Sequence, residues 1–226
     1  MGTGMKKTSG CLKNKAADYL KKAICGCLFI ALFLLPLVSC SKKEEGPATS
    51  NKALSSFSAE SEIFELEKKL KENPDDAEAW YHLADVYDRN GLYSKSVEAY
   101  RKTVSLKPDM GYAYLRMGTA YDRLHQPEQA VKAFEQAIKK MPDYAVAYNN
   151  LGVAYGKLGN SKKEIKNLEK AVKLRDRYAT ANFNLGMAYL RKGDRKSAMR
   201  QYKALMKIDE GMADDLLGKI KGQPQS

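Results

Sequence analysis

From residue 77 onward, short apolar blocks alternate with polar turns, and the blocks keep a helical spacing. In "AWYHLADVY" (79–87) and "AYNNLGVAY" (147–155) the large side chains stand three and four apart, on one face of an α-helix. Upstream, "SAESEIFELEKKLKE" (58–72) puts Ile63, Phe64, Leu66 and Leu70 on a single face and predicts a helix covering the first complete block. Downstream of Glu210, the residues Met212, Leu216, Leu217 and Ile220 predict a last amphipathic helix, and "GQPQS" a polar tail without structure, within 211–226. The segment "SKKEEGPATSNKALSSF" (41–57) is polar, has little periodicity and contains Gly46 and Pro47, which predicts a flexible tether.

The blocks repeat. Pro74, Pro108 and Pro142 are each 34 residues apart. The same step relates Ala84, Gly118, Gly152 and Gly186, and again Tyr87, Tyr121, Tyr155 and Tyr189. In a second helix of each unit it relates Tyr100, Phe134, Leu168 and Tyr202. This pattern resembles the tetratricopeptide repeat over about residues 73–210, in four units near 77–110, 111–144, 145–178 and 179–210. The resemblance implies an all-α fold, a right-handed α-solenoid of stacked helical hairpins closed by terminal capping helices. Each hairpin alone leaves an apolar face wet, and stacking buries it.

Individual residues refine the pattern. Gly91, Gly159 and Gly193 suit the left-handed position after a helix end. Asp75 or Asp76, Asp109 and Asp143 stand ready to cap the following helices, and Ser161 with Glu164 has the capping-box spacing. Glu164 takes the register of Ala130 and Ala198, where either its stem snorkels outward, the favoured expectation, or a partner lies nearby. Asp176 replaces the repeated proline, and Asn182 replaces an aromatic, which is expected to soften the last interface.

The N-terminal segment changes the picture of where the chain works. Six lysines precede an uncharged run of 16 residues, "AICGCLFIALFLLPLV", shorter than the roughly 20 needed to span a bilayer. A basic start, a short apolar core and a small-residue exit describe a secretory signal peptide over 1–39. Its exit, Leu37, Val38, Ser39 and Cys40, resembles the lipobox of bacterial lipoproteins, which implies acylation of Cys40, cleavage before it, and a lipidated tether over 40–57. All four cysteines lie in the first 40 residues, so a chain starting at Cys40 has neither a disulfide framework nor a thiolate metal site. Removing six lysines and one aspartate lowers the formal charge from +12 to +7. The basic balance suits anionic lipid or glycan; export makes nucleic acid the least expected partner.

No catalytic constellation is present: the two histidines, His82 and His125, lack ligand spacing, and no phosphate loop or nucleophile motif occurs. No cofactor and no metal is expected. What remains is surface. In the resembled family the first helices line a concave face, which implies a groove formed by Tyr81, Asp85, Tyr112, Asp122, Val146, Asn149, Asn150, Val153, Phe183, Asn184 and Met187. The acidic residues of the first units speak against the lysine–asparagine–arginine clamp by which cochaperone members hold a terminal carboxylate. Asn150 and Asn184, one repeat apart, match a place where some members hold a peptide's amides, and Asp85 and Asp122 favour a basic flank on the ligand. Arg89, Arg123, Lys157 and Arg191 form a cationic column that the helix macrodipole accounts for, with a binding role as the alternative. A run of lysines and arginines from Lys162 to Lys207 is read as a solvated convex face.

The reading is therefore a non-catalytic, lipid-anchored docking scaffold of a bacterial envelope, with the outer membrane facing the periplasm preferred to the inner membrane. It binds an extended segment of a protein partner. The alternatives are a protein whose basic face contacts anionic lipid or cell-wall glycan, and an accessory factor that recruits a cell-wall enzyme.

Overall fold

The computed structural model describes residues 48–222, with side-chain surroundings from residue 59 on. The segment read as a signal peptide (1–39), Cys40, the beginning of the segment read as a tether and residues 223–226 lie outside the described residues. Ten helices are found among those described: α1 (Ala48–Glu72), α2 (Ala77–Arg89), α3 (Tyr93–Leu106), α4 (Gly111–Arg123), α5 (Pro127–Lys140), α6 (Ala145–Lys157), α7 (Ser161–Leu174), α8 (Ala179–Arg191), α9 (Arg195–Leu205) and α10 (Glu210–Gly222). α2–α3, α4–α5, α6–α7 and α8–α9 are four helical hairpins stacked in chain order, each packing on the next. Each first helix also touches the next first helix, whereas no two successive second helices touch. That asymmetry curves the stack and makes the first helices its concave side. The fold is an α-solenoid.

Small residues let the paired helices close. A Cβ on Gly118 would stand 2.6 Å from the Phe134 ring, so the ring packs directly on backbone. Phe134 is 2% exposed and Leu168, its counterpart in the next hairpin, is fully buried. Burying each such side chain contributes roughly 1.5–3 kcal/mol. In the last hairpin the seal changes. Gly186 is covered by Leu216 of α10, not by Tyr202, which is only half-buried. α9 stops at Leu205, and the chain folds α10 back across both α8 and α9, burying Leu216 and Ile220. Met212 and Leu217 lie half-buried at its edges.

The helix ends show both agreement and correction. Gly91, Gly159 and Gly193 have φ of 75°, 72° and 82°, and His125 takes the same left-handed place in the second hairpin at 56°. Asp76 caps α2, accepting from Ala79 N at 2.9 Å, while Lys69 at 2.7 Å and that N–H hold its carboxyl below the usual range. Asp109 and Asp143 do not cap α4 and α6. They align with Asp75, one residue early, and Met110 and Tyr144 occupy the cap positions. At α7 the cap is Asn160, accepting from Lys163 N at 3.1 Å, not Ser161 in a capping box. α1 also differs from expectation, because it begins at Ala48, inside the segment read as tether. No glycine or proline follows Pro47 before Asn73, so nothing in the sequence interrupts the helix between them.

Asn182 does not leave the last interface short of a bond. Trp80 Nε1 donates to Pro74 O at 2.8 Å, and one hundred and two residues later Asn182 Nδ2 donates to Asp176 O at 3.3 Å and to Tyr178 O at 3.0 Å. The buried amide ties the same turn that the indole ties in the first hairpin.

Candidate functional site

The concave side is built from α2, α4, α6 and α8, and it carries the residues read from the sequence. On α6 and α8 three amides join into a ladder. Asn184 Nδ2 donates to Asn149 Oδ1 at 2.9 Å, and Asn149 Nδ2 donates to Asn150 Oδ1 at 3.1 Å. Asn149 is 4% exposed and sits in the middle, so its role is to hold the two outer amides in place. Asn150 and Asn184 are half-buried and face the groove with remaining amide capacity. Beside the ladder a cleft of about 350 Å³ opens between α6 and α8, walled by Val153, Gly156, Asn184 and Met187, with Lys157 and Arg191 at its edge and Glu164 of α7 beneath.

The other predicted residues are not gathered there. Val146 is half-buried one turn earlier on α6, and Phe183 packs on the C-terminal cluster that includes Leu205 and Leu216. Tyr81 packs on Tyr100 at 5.7 Å, and Tyr112 lies edge-on to Tyr144 at 5.5 Å while remaining 52% exposed. Asp85 and Asp122 do not offer free charge to a basic ligand. Asp85 pairs with Arg89 at 3.2 Å, and Asp122 with Lys157 at 2.6 Å.

The cationic column does more than complement helix ends, because each member reaches back to the preceding hairpin or to α1. Arg89 meets Glu62 at 3.5 Å, Arg123 donates to Tyr93 Oη at 3.0 Å, Lys157 reaches Asp122, and Arg191 pairs with Glu164. Glu62 and Glu164 occupy one register, so the first and last of these pairs are the same contact repeated, with partners 27 residues apart in both. Glu164 does not snorkel outward; it is 2% exposed. The other three contacts lie at the surface, open to solvent on at least one partner, and contribute at most about 1 kcal/mol each.

A further set of contacts has no counterpart in the sequence reading. Tyr87, Tyr155 and Tyr189 donate their phenol protons to Glu67, Glu135 and Glu169 of the preceding second helix, at 2.8, 2.7 and 2.6 Å. The constant spacing of 20 residues between glutamate and tyrosine was the available signal. Burial first, and then the glutamate, pushes the Tyr87 and Tyr189 phenols up to about 12. Before Tyr121 of the second hairpin, Arg101 on α3 takes the glutamate's register. The first hairpin holds another departure: Asp88 Oδ1, Ser96 Oγ and Tyr100 Oη are buried without a hydrogen-bond partner. Burial pushes the Asp88 carboxyl up, against the pull of Arg123 and Arg116.

Among the described residues no group of three His, Cys, Asp or Glu side chains could hold a metal, and no helix is long and apolar enough to cross a membrane. The concave side of α6 and α8 presents amides and aliphatic side chains around the cleft.

Family models described as tetratricopeptide repeat match residues 65–111 and, in three copies, 111–139, 145–178 and 179–211, and a model described as TPR repeat matches 126–159. The chain belongs to the tetratricopeptide-repeat family. No match is found among curated proteins. Among solved structures, MamA superposes with a TM-score of 0.66 at 28% identity, over 72% of this chain and 95% of that one. YrrB, described as a TPR protein with an unusual peptide-binding site, gives 0.58 at 22% identity, over 71% and 86%. The first TPR of Spaghetti (RPAP3), bound to the HSP90 peptide SRMEEVD, gives 0.51 at 20% identity, over 52% and 93%.

Proposed function

We propose that this chain is a non-catalytic docking scaffold, anchored to a bacterial envelope membrane through lipid on Cys40, and that it holds an extended segment of a partner protein on the concave side of α6 and α8. The observation that carries this reading is the ladder of Asn184, Asn149 and Asn150 beside the cleft of Val153 and Met187. An amide both donates and accepts, so the outer two asparagines can satisfy a peptide backbone whatever its side chains. The cleft then takes one side chain. Its edge charges are already compensated, Lys157 by Asp122 and Arg191 by Glu164, so an uncharged side chain suits it best. Apolar burial there contributes roughly 25 cal/mol per Å² before the costs of association. Membership in a family with peptide-bound relatives supports the mode of binding. The lipobox-like exit at Cys40 supports the anchor, and a role in assembly or maintenance of an envelope complex follows from that location.

Photo-crosslinkers at Asn150 and Asn184 are expected to trap one defined partner segment in the host, mapped by mass spectrometry, whereas a crosslinker at Lys163 on α7 is not. Capture only from Lys163 would move the site to the second helices. For the anchor, intact mass of membrane-extracted protein should show acylated Cys40 as the first residue, and Cys40→Ala should leave an unprocessed precursor. An unmodified Cys40 in a processed chain would overturn that part.

A further inference from the structure

The convex side carries a second feature. α1 and α3 do not touch, and the trough between them has a volume of about 890 Å³, larger than the concave cleft. Its floor is apolar, formed by buried Leu70, Leu83 and Ala99 with the faces of Trp80 and Tyr87. Its rims are charged and unequal: Lys71, Lys95, Arg101 and Lys102 stand against Glu67 and Glu98. Glu67 is further occupied by the Tyr87 phenol at 2.8 Å, so the excess at the rim is cationic.

Two departures from the repeat make this trough. Ser105 stands where the later second helices carry Lys139 and Lys173, which leaves the wall of α3 low. Arg101 stands in the register of Glu67, Glu135 and Glu169, the residues that bind the preceding tyrosines, and so puts a guanidinium on this rim where those units have a carboxylate.

We propose that this trough is a second docking surface, independent of the concave groove, and that it takes a short acidic segment of a partner protein. One large apolar side chain of that segment rests on the floor against Trp80 and Leu83. Its flanking carboxylates meet Arg101 and Lys102 on one rim and Lys71 on the other. Arginine presents a planar fork of donors that matches a carboxylate, and the apolar floor between the rims suits a segment that also carries an apolar side chain. A floor recessed between two helices cannot lie against a planar bilayer, so a chain segment fits and a membrane surface does not.

Trp80 is the chain's one tryptophan and lies in the trough, so its emission reports occupancy directly. The probe is a blocked nine-residue peptide in which phenylalanine and leucine alternate with glutamate and aspartate, titrated into the full chain in non-ionic detergent. A saturable change in Trp80 emission that weakens with salt is expected. The pair Arg101→Glu and Lys102→Glu should raise the peptide's Kd at least tenfold, and the uncharged Ser105→Gln should raise it by filling the wall, both with an unchanged helical spectrum. A lysine-for-acid version of the peptide should leave the wild-type emission unchanged and bind the charge-reversed pair. Asn150→Ala and Asn184→Ala should leave the titration unchanged, which keeps this result separate from the concave groove. No saturable change, or binding that the charge reversal does not move, overturns the proposal. So does a Trp80 response to anionic vesicles without one to the peptide.

Discussion

A Cβ on Gly156 would stand 2.5 Å from Glu164 Oε1, so the buried carboxylate of α7 occupies the space that a side chain on α6 would fill. The same two registers hold Asp88 with Ser96, Asp122 with Ala130, and Leu190 with Ala198 in the other hairpins. Only in the third hairpin is the large residue on the second helix, and there the first helix has given up its side chain. Arg191, 52% exposed in its side chain, closes the carboxylate from the next hairpin.

This exchange predicts an asymmetry. Arg191→Ala leaves Glu164 buried without its cation and should cost about 1–3 kcal/mol. Glu164→Ala leaves Arg191 in water and should cost less than about 1 kcal/mol. Gly156→Ala alone forces the carboxylate off its partner, so its gain in helix propensity is cancelled. With Glu164→Ala added, that gain of about 1 kcal/mol should appear as a chain at least as stable as the wild type. Urea unfolding of the three single variants and the double tests the coupling, and additive effects would refute it.

His125 sits at φ 56° where the other three hairpins have glycine. A left-handed conformation costs a residue with a β-carbon roughly 1–2 kcal/mol, of which the greater entropy of glycine in the unfolded chain returns part. His125→Gly is therefore expected to stabilise the protein by about 0.5–1 kcal/mol. A lower melting temperature in that variant would show that the imidazole makes a compensating contact.

The hairpin plan was legible because it is periodic. Prolines, glycines and tyrosines recur at 34 residues, and the first helices begin at that step, at 77, 111, 145 and 179. The contacts between hairpins were not legible, because a glutamate 20 residues before a tyrosine, or 27 before an arginine, marks a pair only once the stack has set which surfaces face each other. Glu164 shows this best. Its register suggested a stem reaching outward or a nearby partner, and its explanation lies in Gly156 and Arg191, one on the helix before it and one on the helix after. A final helix carrying Leu216 was expected to cover the last unit, but its seat on Gly186 was not legible, because the period places Tyr202 there. Of the groove, the asparagines and their aliphatic neighbours could be placed from the period alone. The loss of free charge at Asp85 and Asp122 could not, since both partners come from the cationic column.

The tyrosine contacts carry a pH signature. The Tyr87 and Tyr189 phenols, ordinarily at 10, are pushed up to about 12 in the folded chain. Between these values the unfolded chain loses protons that the folded chain keeps, so their contribution is complete below about pH 10 and is lost as pH rises through 12. Stability should fall over that window, and Tyr87→Phe with Tyr189→Phe should flatten the fall. Near neutral pH each substitution removes one hydrogen bond to a carboxylate and should cost about 1–2 kcal/mol. Chemical unfolding at pH 8, 10 and 11 separates the two effects, and an identical slope in the double variant would rule the tyrosines out.

Unpartnered polar atoms mark the first hairpin as a place where stability can be gained. Ser96 Oγ and Tyr100 Oη are buried without a hydrogen-bond partner, and the same registers hold Ala130 and Phe134 one hairpin later. Removing both hydroxyls replaces desolvated groups with apolar atoms of nearly the same shape, a change that is neutral or stabilising. Ser96→Ala with Tyr100→Phe should raise stability by up to about 1 kcal/mol. A loss of more than that, read by thermal unfolding, would mean that the hydroxyls are held by a network with Asp88.

The asparagine ladder separates holding the scaffold from holding a ligand. Asn149 is buried and bonded on both sides, to Asn184 at 2.9 Å and Asn150 at 3.1 Å, so Asn149→Ala leaves a void and frees two amides from their shared partner. It should cost about 1–2 kcal/mol, the range for losing a satisfied buried polar group. Asn150 and Asn184 lie half-open on the groove, where water can replace the lost partner, and alanine at both should change stability by less than about 0.5 kcal/mol. Binding should order the variants differently. The double variant at Asn150 and Asn184 is expected to lose crosslinking of the partner segment from a probe at Val153, although its melting curve is unchanged. Asn149→Ala should weaken that crosslinking only as far as it disorders the two outer amides. If instead the double variant melts early and still captures the segment, the ladder is a structural tie between α6 and α8, and the ligand is held by the aliphatic cleft alone.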